Sequence, residues 1–156
     1  MTAEAGFLEE VKSNLNRLKN DQIVNILVKN SNLTEIQLET LLIDFLFENN
    51  YIEKANYDLK GLIRSKGVTR GSFHRTLQQA RKNITSALFT TLLLIYLGII
   101  DETTFNEFNL IAKRLKEYLV LAETTNSVDS KRTLKVIEEE LLRGLKNLLE
   151  PKNPSF

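Results

Sequence analysis

Residues 59–84 read LKGLIRSKGVTRGSFHRTLQQARKNI, and their order describes two helices joined by a tight turn. A short helix over 57–65 leads into Lys66-Gly67-Val68. Gly67 can take the left-handed backbone conformation that a side chain would oppose, and Val68 follows as a buried turn residue. Thr69 is a good N-cap for a helix that starts at Arg70. Phe73 and Leu77, four residues apart, lie on one face and dock that helix on a core. Arg70, Ser72, His74 and Arg75 take the early, outward positions.

Charge is unevenly spread around this stretch. The chain has 156 residues, 21 of them Lys or Arg and 20 Asp or Glu, for a net charge of +1. Between Asp58 and Asp101 there is no acid. Lys60, Arg64, Lys66, Arg70, Arg75, Arg81 and Lys82 give that segment +7, which leaves 14 basic and 20 acidic residues, or −6, elsewhere. A basic block in an acidic chain is the footprint of a polyanion-binding surface, although a solvated basic face gives the same pattern.

The two-helix grammar and the basic block coincide, which is the pattern of a helix-turn-helix. In that motif the start of the second helix enters the major groove of duplex DNA. Arg70 and Arg75 there can pair with guanine edges, and Ser72 and His74 can hydrogen-bond to bases. Lys60, Arg64, Lys66, Thr69, Gln78, Arg81 and Lys82 flank them and are expected at phosphates. The stretch is similar to the recognition helix of sigma-factor region four and of related response-regulator and archaeal helix-turn-helix regulators. The resemblance rests on Gly67, Val68, Thr69, Arg70, Gly71, Ser72, Phe73, Leu77, Ala80, Arg81 and Lys82, which match in order. Leu33-Thr34-Glu35, Gln37, Leu41-Leu42 and Phe45 resemble the first helix of the same tri-helical unit. It covers residues 33–84. The loop before the second helix is longer than in sigma factors, and Ile63 stands where a small residue is usual. Nothing resembles the sigma segment that binds polymerase. The resemblance therefore implies a DNA-binding regulator and not a sigma factor.

The rest of the chain reads as helix throughout. Six glycines and two prolines, both near the C-terminus, leave few helix breakers, and no alternating strand pattern occurs. The fold class is all-α. Helices are expected over 3–19, 21–29, 34–48, 70–98, 104–123 and 130–149. Thr34 and Gln37 form one capping box, and Thr104 and Glu107 a second, with Asp101 also available as a cap. Leu38, Leu41, Leu42, Phe45 and Leu46 mark the apolar side of the helix over 34–48. Residues 83–100 carry no charge. We read the apolar part of this run, 84–100, as a long central helix buried in a domain or an oligomer rather than a membrane span, because its threonines and serine interrupt it and other amphipathic helices need a packing partner.

Four regions follow: N-terminal helices at 1–32, a helix-turn-helix unit at 33–84, a helical core and dimerisation region at 85–150, and a frayed tail at 151–156. One recognition helix reads too few base pairs alone, so a homodimer on double-stranded DNA is expected. The start, MTAEAGFLEEVK, lacks the pattern of a signal peptide, and a cytoplasmic location is expected. The absence of cysteine excludes disulfides and thiolate chemistry, and a single His, His74, excludes a multi-histidine metal site. Gly61, Gly67 and Gly71 do not form a phosphate-binding loop, and Glu9-Glu10 and Glu138-Glu139-Glu140 lie on solvated faces. No catalytic residue, metal or cofactor is expected. The competing reading is an α-helical module that offers the same basic face to an acidic protein or to RNA, though clustered exposed aromatics for stacking on bases are lacking.

Overall fold

The computed structural model describes residues 3–49, 57–124 and 129–147. These residues form seven helices and no strand: α1 (Ala3–Asn20), α2 (Gln22–Lys29), α3 (Glu35–Asn49), α4 (Tyr57–Ile63), α5 (Arg70–Tyr96), α6 (Glu102–Thr124) and α7 (Asp129–Asn147). The chain is all-α, and each helix falls within a few residues of its expected span. Most of the polar break expected after α6, and the tail at 151–156, lie outside the described residues.

The chain divides into two compact units, Met1–Leu88 and Phe89–Phe156, and the boundary falls inside α5. Helices α1 and α2 fall in the same unit as α3 and α4. Val11 and Leu15 of α1, Ile43 and Phe47 of α3, Ile63 of α4, and Phe73 and Leu77 of α5 share one core. Phe7 meets Phe47 edge to face at 5.1 Å between ring centroids. Burying such side chains contributes roughly 1.5–3 kcal/mol each.

Local chemistry sets the helix ends. Asp21 caps α2 by accepting from Ile23 N–H at 2.8 Å and Val24 N–H at 3.1 Å. The Thr34 capping box is reciprocal: Gln37 N–H donates to Thr34 Oγ1 at 3.2 Å, and Thr34 N–H donates to Gln37 Oε1 at 3.0 Å. Asp101 caps α6 through Thr104 N–H at 2.8 Å. Thr104 is therefore inside the helix and buried, and the cap expected at Thr104 falls to Asp101.

Two apolar faces depart from expectation. On α3 the buried residues are Glu39, Thr40, Ile43, Asp44 and Phe47, whereas Phe45 is 63% exposed. This helix is apolar nearly all round, so its hydrophobic pattern selects no single face. The face that turns inward includes two carboxylates, and they find partners on α1, α4, α5 and the turn. The second departure concerns 84–100. Leu88, Phe89, Leu92, Leu93, Leu97 and Ile99 are exposed, and Tyr96 is 87% exposed. Within one chain this run is not buried. No helix among the described residues is long and apolar enough to cross a membrane.

In the second unit α6 packs on α7. Leu141 is a buried hydrophobic side chain of this unit. Gly144 admits Ile111 closely: a Cβ there would stand 3.1 Å from Ile111 Cδ1. Arg114 and Glu140 face each other at 3.5 Å across these two helices.

Candidate nucleic-acid interface

The turn between α4 and α5 is built from backbone contacts that the sequence anticipates. Gly67 has φ +54°, in the left-handed region. Its N–H donates to Arg64 C=O at 2.7 Å, and Val68 N–H donates to Gly61 C=O at 2.9 Å. Thr69 Oγ1 accepts from Ser72 N–H at 3.3 Å and so caps α5. The close approach depends on Gly61, because a Cβ at that position would overlap the Val68 carbonyl oxygen. Gly61, rather than position 63, is thus the small residue that lets α4 meet the start of α5. Ile63 is buried in the core.

Glu39 anchors the turn to α3. Its Oε1 accepts from Ser65 N–H at 2.9 Å, from the Ser65 hydroxyl, and from Lys19 Nζ at 3.0 Å. Burial alone raises this carboxyl; the Ser65 hydroxyl and N–H, with Lys19, outweigh it and hold Glu39 below the usual range. A carboxyl lowered in the fold stabilises above its unfolded pKa, and that contribution is lost as pH falls through the folded value. The denaturation midpoint should therefore fall below about pH 4.5, and Glu39→Gln should flatten that slope in a urea titration repeated from neutral to acid pH.

A second anchor joins three helices. Lys60 Nζ of α4 donates to Asp44 Oδ1 at 2.9 Å and to Glu48 Oε1 at 3.1 Å, and Arg81 Nη2 of α5 donates to Asp44 Oδ2 at 2.7 Å. Lys60 is only 2% exposed. Burial works against its charge, but the two carboxylates prevail and hold its pKa above the ordinary lysine value. The expected phosphate contact at Lys60 is thereby corrected: its ammonium is inside, spent on α3. Arg81 is divided, with one nitrogen on Asp44 and a side chain still 60% exposed.

The other expected contact residues separate into three groups. Arg75, Gln78 and Lys82 are exposed and, continuing from Gly71, which was not among the expected contacts, recur every three or four positions along α5, on the side away from Phe73, Leu77 and Ala80. Lys66 in the turn and Arg70 at the helix start are exposed as well. Arg70, Arg75, Lys66 and Lys82 form no ion pair among the described residues. The second group gathers on Tyr57. Arg70 stands over this ring at 5.9 Å, His74 meets it edge-on at 5.4 Å, and Phe73 lies 6.2 Å from it. His74 is thus half-buried against Tyr57 rather than fully outward, and Ser72 is half-buried too. The third is Arg64, half-buried against a cavity walled by α1, α2 and α3.

Sequence reasoning missed two residues here. Gln79 is exposed one helical turn beyond Arg75, and its amide donates to Asn83 Oδ1 at 2.9 Å. Asn83 in turn donates to Asn32 C=O at 2.8 Å and Gln37 Oε1 at 3.2 Å, which ties α5 to the entry of α3. The i, i+4 spacing from Arg75 was the available signal for Gln79. Tyr57 carried no signal, because its role depends on where α4 meets α5.

The exposed row offers fork and amide donors with a bare backbone at Gly71, where a Cβ would meet open space. From Gly71 to Lys82 it spans about 16 Å at 1.5 Å per residue. Guanidinium and amide groups in such a row can reach base edges, and lysines can meet phosphates. No family model, curated protein or solved structure matches this chain.

Proposed function

We propose that the chain is a sequence-specific double-stranded DNA-binding transcriptional regulator that acts as a homodimer. The observation that carries this reading is the face of α5 opposite the core. It follows a tight glycine turn and presents Arg75, Gln78, Gln79 and Lys82, with Lys66 and Arg70 at its start. Residues 59–100 carry no acid, and two acids of α3, Glu39 and Asp44, are occupied inside. Net positive charge therefore remains on the surface even after Lys60 is withdrawn. Arg75 is the residue assigned to base edges, supported by Gln78 and Gln79. Lys66 and Lys82 are assigned to phosphates.

Lys82→Ala should weaken a selected and a scrambled duplex alike. It should also lower the slope of log affinity against log salt by about one, since a phosphate contact releases counterions without reading sequence. Fluorescence anisotropy across a salt series measures both. Equal binding of RNA or of an acidic protein with unchanged DNA affinity in this variant would favour the competing module.

The exposed apolar side chains of the second unit support the proposed homodimer. Leu92, Leu93, Tyr96 and Leu97 are exposed on a run without charge. Such a surface meets its own copy with no like-charge repulsion, as a two-fold interface requires. Exposed apolar area on this scale is unusual for a monomer. Two recognition helices could then meet half-sites ~34 Å apart. Leu92→Glu should weaken dimerisation by about tenfold or more, ~1.4 kcal/mol, while leaving helix content unchanged. Sedimentation equilibrium reads this; a monomeric wild-type chain would contradict the two-half-site arrangement.

A further inference from the structure

The cavity between α1, α2, α3 and the α4–α5 turn has a volume of about 560 Å³, within the roughly 300–1,000 Å³ usual for small-molecule sites. Its walls are largely aliphatic, with Leu15 and Leu18 from α1, Val24 and Val28 from α2, and Leu42 from α3. Arg64 also lines it, and Arg64 Nη1 is buried without a hydrogen-bond partner. A guanidinium donates and cannot accept, so the group that satisfies it must bring acceptor oxygens. Leaving a buried donor unpaired is costly. The two acids on the wall do not serve: Glu39 is held by Ser65 and Lys19, and Glu35 makes no pair with Arg64. Lys19 and Lys66 at the rim add positive potential.

From this geometry we infer that the cavity binds a small aliphatic carboxylate, its head on the Arg64 guanidinium and its chain along the α1–α2–α3 walls. A bare inorganic anion would satisfy Arg64 but leave the aliphatic walls unfilled. A neutral alkane would fill the walls but leave Arg64 unpaired. The fork of the guanidinium suits the two oxygens of a carboxylate. The site stands on these contacts alone and does not depend on DNA binding.

Octanoate, octanol and acetate are the probes, titrated by calorimetry into the full chain. Octanoate should bind saturably at one site per chain, and octanol and acetate each about tenfold or more weaker. Arg64→Gln should weaken octanoate by about tenfold or more and leave octanol unchanged. Val28→Phe, at a half-buried wall position, should block octanoate by filling the chain's place, and it carries the test if Arg64→Gln fails to fold. Equal affinity for octanoate and octanol, undiminished octanoate binding in the folded variants, or no saturable octanoate binding would overturn the assignment.

Discussion

Asp44→Ala should lower the stability of the N-terminal unit by about 3 kcal/mol, the low end of the range for breaking a buried ion pair. The variant leaves Lys60, with a side chain 3% exposed, to Glu48 alone, and the Glu48 side chain is 72% exposed. A buried ammonium with one solvated partner retains most of its desolvation cost. Arg81 loses its partner as well, but its surface position lets water replace the bond. The double variant Asp44→Leu/Lys60→Met should recover most of the loss, because removing both charges removes the penalty along with the attraction. Urea melts followed by circular dichroism provide the comparison, through a shifted midpoint at an unchanged slope. The same pair sets the alkaline limit. Lys60 is raised in the fold, so its contribution is complete below the unfolded lysine value and is lost only as pH rises through the higher folded one.

This cluster also marks where a linear reading of the chain stops. Phe73, Leu77 and the Thr69 cap are legible because their signals are local: a helical repeat and a side chain that reaches three residues ahead. The Thr34–Gln37 box is legible for the same reason. Lys60 reads as a surface cation because no acid stands three or four residues from it on the helix. Its partner Asp44 is 16 residues away, and Asp44's second partner, Arg81, is 37 residues away. Pairing at that distance exists only once α3, α4 and α5 pack. Burial of α3 is equally illegible. Its apolar residues surround the helix, so periodicity chose Phe45 while the fold chose Ile43, Phe47 and two neutralised carboxylates. For 84–100 the uncharged apolar run predicts burial, but the described chain buries little of it. A hydrophobic pattern does not specify whether its own chain or a second molecule covers the surface.

Arg75→Ala should weaken a selected duplex by about 1–3 kcal/mol and leave a scrambled duplex nearly as before. Arg75 lies on the outward face of α5, one turn past Gly71, with no ion pair among the described residues, so the substitution removes no packing. Folding stability should therefore stay within about 0.5 kcal/mol of wild type, as for surface changes generally. Arg70→Ala is expected to do less to base readout, since Arg70 leans over the Tyr57 ring. It should cost part of the cation–π contact, roughly 0.5–1 kcal/mol at an exposed site.

We propose that the outward face of α5 reads duplex DNA. The most direct test is an anisotropy titration of wild type and of the Arg70→Ala/Arg75→Ala double variant against a duplex selected by the wild-type chain and its scrambled counterpart, at several salt concentrations. Wild type should prefer the selected duplex, and the double variant should lose that preference. If the folded double variant binds both duplexes as wild type does, the α5 assignment is contradicted.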